Sequence, residues 1–225
     1  MNLKRLLSFL IVPLLLTACP SGRNRADAPD LGNLPRTILS GEQGPFHVQG
    51  IAVDLERGYI YFSFTTKLLK MDLAGNLIGS VDGLTGHLGC LTMNPADGRV
   101  YGSLESKDDA IGKGIRKTLD GESEGADQTG FYIAVFDVDR IVRPDMDAER
   151  DRVMTAVYVK EAVDDYFAET VNGGRTVAHR FGCSGIDGVT FAPRFGSGEE
   201  GDWLYVAYGI YGDTLRTDND YQVIL

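Results

Sequence analysis

The chain has 225 residues, with 22 Lys and Arg against 32 Asp and Glu, a formal net charge of −10. A surface of that sign repels nucleic acid and anionic lipid headgroups, so cations, neutral glycans and basic partners fit it better. Its three cysteines are too few for a disulfide scaffold.

The N-terminus divides into a basic head (Lys4, Arg5), an apolar run from Leu6 to Leu16, and a small-residue ending, Leu16-Thr17-Ala18-Cys19. This is the order of an export signal. The apolar run is too short to span ~30 Å of hydrocarbon as a helix, and Pro13 interrupts it. The Leu-Thr-Ala-Cys ending resembles the lipobox of bacterial lipoproteins. That resemblance implies cleavage of residues 1–18, a lipid on Cys19 and placement in the bacterial cell envelope, on the periplasmic face or in the outer membrane. An ordinary secretory signal with a cysteine near its cleavage site is the alternative. Losing Lys4 and Arg5 leaves 20 basic against 32 acidic residues, a net charge of −12. Residues 19–41, rich in Pro, Gly, Asn, Asp and Arg without apolar period, read as a flexible tether. Cys90 and Cys183 read as buried thiols rather than a scaffold.

From residue 42 onward the chain repeats itself. His47-Val-Gln-Gly-Ile-Ala-Val-Asp54 followed by Tyr59-Ile-Tyr-Phe-Ser63 aligns with His87-Leu-Gly-Cys-Leu-Thr-Met-Asn94 followed by Arg99-Val-Tyr-Gly-Ser103. Both align with Gly185-Ile-Asp-Gly-Val-Thr-Phe-Ala192 followed by Trp203-Leu-Tyr-Val-Ala207. Gly50, Cys90 and Gly188 are then equivalent, as are Tyr61, Tyr101 and Tyr205. Third strands are expected at 67–73 and 131–138, and fourth strands at 76–81 and 153–159, all short β-prone runs between turn residues. Four short strands per unit predict an all-β fold of β-propeller blades: blade 1 at 46–83, blade 2 at 86–160 with insertions, an insertion at 161–182, and blade 3 at 183–225, stopping within its third strand. A β-sandwich is the alternative. Nearly all-apolar first strands are expected to be innermost and covered on both faces. Three blades do not close a ring, so further blades are expected outside residues 1–225, with two copies completing one ring as the alternative.

Gly-Ile-Ala-Val-Asp, then Tyr-Ile-Tyr, then Lys-Met-Asp-Leu-Ala-Gly-Asn-Leu resembles the blades of NHL-repeat proteins and of the gluconolactonase and regucalcin-like superfamily, whose propellers are six-bladed. The likeness covers 46–83 well and 86–104, 131–138 and 184–208 fairly. In the lactonases an acidic or amide residue before a glycine, at the start of the innermost strands, binds a divalent cation in the central channel. The matching positions here are Gln49-Gly50, Gly89-Cys90 and Asp187-Gly188. Asp187 fits that pattern, Gln49 departs from the family's glutamate, and Gly89 carries no ligand atom. The resemblance therefore implies a calcium-like cation held by Asp187 and Gln49, against a reading of Asp187 as a turn residue.

His47 and His87 stand at equivalent positions and are candidates for the channel mouth, as metal ligands or acid–base groups; inherited packing residues are the alternative. The inserted stretches 104–130, 161–182 and 209–220 are expected on the same side, as a rim over the channel. The acidic stretch Asp120–Asp127 lacks the ligand order of a calcium-binding hand and reads as a solvated loop. Gly209–Asp213 and Arg216–Tyr221 offer aromatic and polar groups of the sort that contact sugars or peptides. Serine-hydrolase elbow, Walker, CxxC and HExxH patterns are absent. Two functions follow: a lipid-anchored binding module for a small molecule, glycan or protein, or a metal-assisted lactonase-like hydrolase using His47, Gln49, His87 and Asp187 around a cation.

Overall fold

The computed structural model describes residues 31–107, 129–196, 201–210 and 223–224. The export signal, Cys19, the stretch Asp120–Asp127 and residues 211–222 lie outside the described residues. The protein is all-β, with one α-helix among the described residues.

Three antiparallel meanders follow one another. The first contains β1 (Gly50–Asp54), β2 (Tyr59–Phe64), β3 (Lys67–Asp72) and β4 (Leu77–Asp82), in that order across the sheet. The second holds β5 (His87–Asn94), β6 (Arg99–Ser106), β7 (Gly130–Phe136) and, after an excursion, β9 (Met154–Tyr158). The third holds β12 (Cys183–Pro193), β13 (Asp202–Ile210) and β14 (Val223–Ile224). The strands expected from the repeat are all present, with ends displaced by a few residues.

The turns explain the regularity. Asp54-Leu-Glu-Arg-Gly58 and Asn94-Pro-Ala-Asp-Gly98 both close with a backbone bond from the glycine N–H to the first residue's carbonyl, each 2.9 Å. Gly58 and Gly98 take φ of 76° and 73°, a left-handed conformation glycine adopts without steric penalty.

The meanders stack face on face. Ala52, Tyr61, Leu68 and Val81 of the first meet Leu88, Leu91, Val100, Ala134 and Phe136 of the second in one buried cluster. Phe131 and Ile133 of the second meet Ile186, Val189, Val206 and Tyr208 of the third in another. Burying each such aliphatic or aromatic side chain contributes about 1.5–3 kcal/mol. The first strands lie next to one another, β1 against β5 and β5 against β12.

Four features depart from the sequence reading. Residues 137–153 leave β7 and return to the first sheet, where β8 (Met146–Asp147) pairs in parallel with the outer edge of β4. Lys70 secures this excursion: it is buried, and its Nζ donates to the carbonyls of Val138 at 2.8 Å and Ile141 at 3.3 Å, above the Tyr59 ring. Residues 161–182, expected as a loop insertion, form α1 (Lys160–Phe167) and the hairpin β10 (Glu169–Asn172) with β11 (Arg175–Ala178). Helix α1 buries Ala162 and Val163 in the second inter-sheet cluster. Its buried Asp165 accepts bonds from Tyr208 and Arg180, fixing the helix to β13.

The two remaining departures concern the face of the first sheet away from the second. Phe62, Phe64, Leu69 and Met71 are buried there under Ile38 and Phe46, so part of the expected tether packs on the sheet. Ile51 and Val53 lie on the same face and are 53% and 42% exposed. The first strand β1 is therefore covered on one face only, because the arm through Ile38 and Phe46 packs on β2 and β3 and leaves these two exposed. Among the described residues no helix is long and apolar enough to cross a membrane.

Candidate functional site

The starts of β1, β5 and β12 come together through small residues. A Cβ on Gly50 would lie 2.7 Å from the Gly89 carbonyl oxygen and 2.8 Å from the Leu91 nitrogen, so only glycine allows this approach. Ser63 spans the same junction, its Oγ donating to the Gly89 carbonyl at 2.5 Å. Its repeat equivalent, Ser103, accepts from Cys90 Sγ at 3.4 Å. A side chain at Gly89 would strike the Ser103 hydroxyl.

Where β5 meets β12, the second meander contributes a charge. Glu105 stands opposite His87 in the β5–β6 register and is 7% exposed. One carboxylate oxygen accepts the Ile186 N–H, and the other is 3.1 Å from Lys107 Nζ, which also donates to the Ser184 carbonyl at 2.7 Å. Gly185, with φ of 145°, passes so close that any side chain there would collide with the Glu105 carboxylate. Burial pushes the Glu105 carboxyl above its ordinary value; Lys107 and the Ile186 N–H oppose the shift, and the Asp187 charge adds to it.

The candidates from sequence can now be placed. His47 is exposed just before β1, with Nε2 3.3 Å from the Gln49 side-chain nitrogen. Gln49 is half-buried, and its backbone N–H donates to the Ser63 carbonyl at 2.8 Å. His87 opens β5 and is half-buried; Asp187 is exposed on β12. All four therefore sit at the same end of the three first strands, Asp187 within electrostatic reach of Glu105. Among the described residues no three His, Cys, Asp or Glu side chains converge closely enough to hold a metal ion.

Lys107, where the first insertion leaves β6, touches Ser184, where the second returns to the sheet, so these two insertions meet at this end. The aromatic stretches at 209–213 and 216–221 lie beyond the described side chains. Cys90 and Cys183 are free thiols, and burial pushes Cys183 up to about 12, which leaves it un-ionised and inert at neutral pH.

Glu105 is not among the candidates from sequence, because the insertion expected from residue 104 covers it, whereas β6 runs on to Ser106. The alternation Val100, Gly102, Leu104 carried that signal. The repeat tyrosines diverge in role. The Tyr101 hydroxyl donates to Asp97 at 2.6 Å and that of Tyr205 to the Pro193 carbonyl at 3.0 Å, each tying its own hairpin turn. Tyr61 is wholly buried, and its hydroxyl has no hydrogen-bond partner among the described residues. A cavity between the Asp54–Gly58 and Asn94–Gly98 turns lies at the opposite end of the strands from all four candidates. Comparison with protein-family models, curated proteins and solved structures gives no match to the chain.

Proposed function

We propose that this chain is a lipid-anchored protein of the bacterial cell envelope whose three meanders are blades of a propeller similar to NHL-repeat and gluconolactonase-like proteins. It acts as a binding module, presenting a small molecule, glycan or protein ligand to the end that carries His47, Gln49, His87 and Asp187. The observation that carries this reading is the side-by-side start of β1, β5 and β12, which places one repeat position from each unit at a common end. Rigid strands beneath inserted segments suit recognition, since such segments vary without disturbing the scaffold. Multiple acyl chains on Cys19 supply the anchor, at about 0.8 kcal/mol per buried CH₂.

A second reading, a lactonase-like hydrolase, is favoured by Glu105. Burial raises the Glu105 carboxyl above its ordinary value beside the exposed Asp187 carboxylate, and two carboxyls held in unlike surroundings suit acid–base chemistry.

Metal analysis of purified protein, alongside an Asp187→Ala variant and a lactone-hydrolysis assay, separates the two. The binding-module reading expects equal metal content in both proteins and no turnover. A stoichiometric divalent cation lost in the variant together with lactone hydrolysis overturns it in favour of the hydrolase. Mass spectrometry of membrane-extracted protein tests the anchor: acylation at Cys19, abolished by Cys19→Ala, is the expected result.

A further inference from the structure

The two junctions between meanders follow one rule. Gly50, Cys90 and Gly188 share a repeat position, and so do the residues after them, Ile51, Leu91 and Val189. At the first junction a Cβ on Gly50 would lie 2.8 Å from the Leu91 nitrogen. At the second, the Cys90 sulfur accepts a hydrogen bond from the Val189 N–H. In each case the small residue of one meander meets the backbone one position further along in the next. The tyrosines behave alike. Tyr61 is buried in the cluster against which Met93 packs, and Tyr101 stands edge-on to Phe191 with ring centroids 4.9 Å apart. Met93 and Phe191 share their repeat position with Val53.

The two ends of the stack leave this rule half-filled. Among the described residues, a Cβ on Gly188 would meet only the Ala207 Cβ, at 3.5 Å, so nothing crowds it as β5 crowds Gly50. Trp203, in the repeat position of the packed Tyr59, is 50% exposed. At the other end, Ile51 and Val53 lie exposed on the first meander, whereas Leu91 and Val189, equivalent to Ile51, are each only 9% exposed beneath the meander that precedes them. The arm through Ile38 and Phe46 packs on β2 and β3 and leaves β1 open.

One chain thus presents both halves of a junction that it makes twice internally. Gly188, Tyr205 and Trp203 stand at one end of the stack, and Ile51 and Val53 at the other. Apolar surface left open in that way marks a contact.

We propose that a second copy of this chain docks head to tail, its third meander on the first meander of the other, with Gly188 against the Ile51 backbone and Tyr205 over Val53. The two faces differ, so the contact is heterologous, and two copies satisfy both faces by closing into a ring. The pairing rests on how the meanders stack and not on the ligand reading, so either can fail without the other.

Sedimentation of the full chain carrying Cys19→Ala, which keeps any lipid from clustering it, tests the proposal between ~1 and ~100 μM. A discrete two-copy species is expected. Gly188→Leu, which has space within its own chain, and Val53→Glu, at an exposed position, are each expected to weaken pairing at least about tenfold while thermal unfolding shows them folded. An equal mixture of Ile51→Cys and Gly188→Cys proteins is expected to form a 51–188 disulfide between copies under mild oxidation, since the Cα atoms of such a pair need approach only to about 4.4–6.8 Å. Neither protein alone is expected to do so. A single-copy mass across the range, as a further meander or an unrelated partner on this face requires, would overturn the proposal. So would an open-ended series of sizes, a 51–51 disulfide, or unchanged pairing in folded Gly188→Leu.

Discussion

Gly185 runs against the carboxylate of Glu105, so that a single glycine on β12 and a single buried acid on β6 define how the second and third meanders meet. Both partners of that carboxylate reach it from this junction: the Ile186 N–H from β12, and Lys107, which is itself tied to Ser184.

Replacing Gly185 with alanine is therefore expected to destabilise the protein by about 2 kcal/mol or more, through a left-handed φ and a collision with a charged oxygen. Urea unfolding measures it through the midpoint. A midpoint within error of the parent would mean that β12 does not approach β6 as described.

Glu105 gives a pH signature. Its folded-state value lies above the ordinary 4.5, mainly because of burial. The folded state therefore holds a proton that the unfolded chain has released, and this group's contribution to stability falls as pH rises through the window above 4.5. Glu105→Gln removes that component. The difference in unfolding free energy between parent and variant is expected to shift towards the variant as pH increases from 4.5; a pH-independent difference would contradict the assignment.

The first junction is tested at Gly50. A methyl group there meets backbone on β5, which cannot yield as a side chain can, so Gly50→Ala is expected to cost about 1–3 kcal/mol. Ser63→Ala, which leaves the Gly89 carbonyl without the Ser63 hydroxyl, is expected to cost about 1 kcal/mol. Thermal unfolding distinguishes the two, and Gly50→Ala as mild as a surface substitution would contradict the close approach.

The excursion across to the first sheet predicts a fourth effect. Lys70→Met removes the donor that holds the Val138 and Ile141 carbonyls. Hydrogen exchange is expected to rise at the amides of Ser80 and Asp145, which bond across that contact. Unchanged protection there would show that β8 is held without Lys70.

What was legible in the sequence follows from what repeats. The strands β1 to β6 were readable because short apolar runs alternate with turns that end in Gly58, Gly75 and Gly98, and all three take positive φ. The equivalence of Gly50, Cys90 and Gly188 marked like strands that the structure sets side by side, although only Gly50 begins its strand; Cys90 and Gly188 lie inside β5 and β12. Helix α1 was not legible: its N-cap is Val159, which supplies no capping hydrogen bond, and it spans only Lys160–Phe167. Nor was β8, whose two residues pair with β4 through a contact remote in sequence. Of the candidate site, His47 and His87 follow from repeat position, and Gln49 and Asp187 from repeat position together with the resemblance to the lactonase pattern. Glu105 escaped because its significance lies in Gly185 and Ile186, residues that only the fold brings to it.

The account depends most on the shared end of β1, β5 and β12. Electron–electron double resonance between spin labels at Gln49 and Asp187, and between Ala96 and Asp187, tests it directly. A strand rises about 3.3 Å per residue, so the length of β5 separates its start from Ala96 by roughly 25 Å. The 49–187 distance is expected to be shorter than the 96–187 distance by more than about 10 Å. Equal distances, or a longer one between Gln49 and Asp187, would contradict a common end and the function built on it.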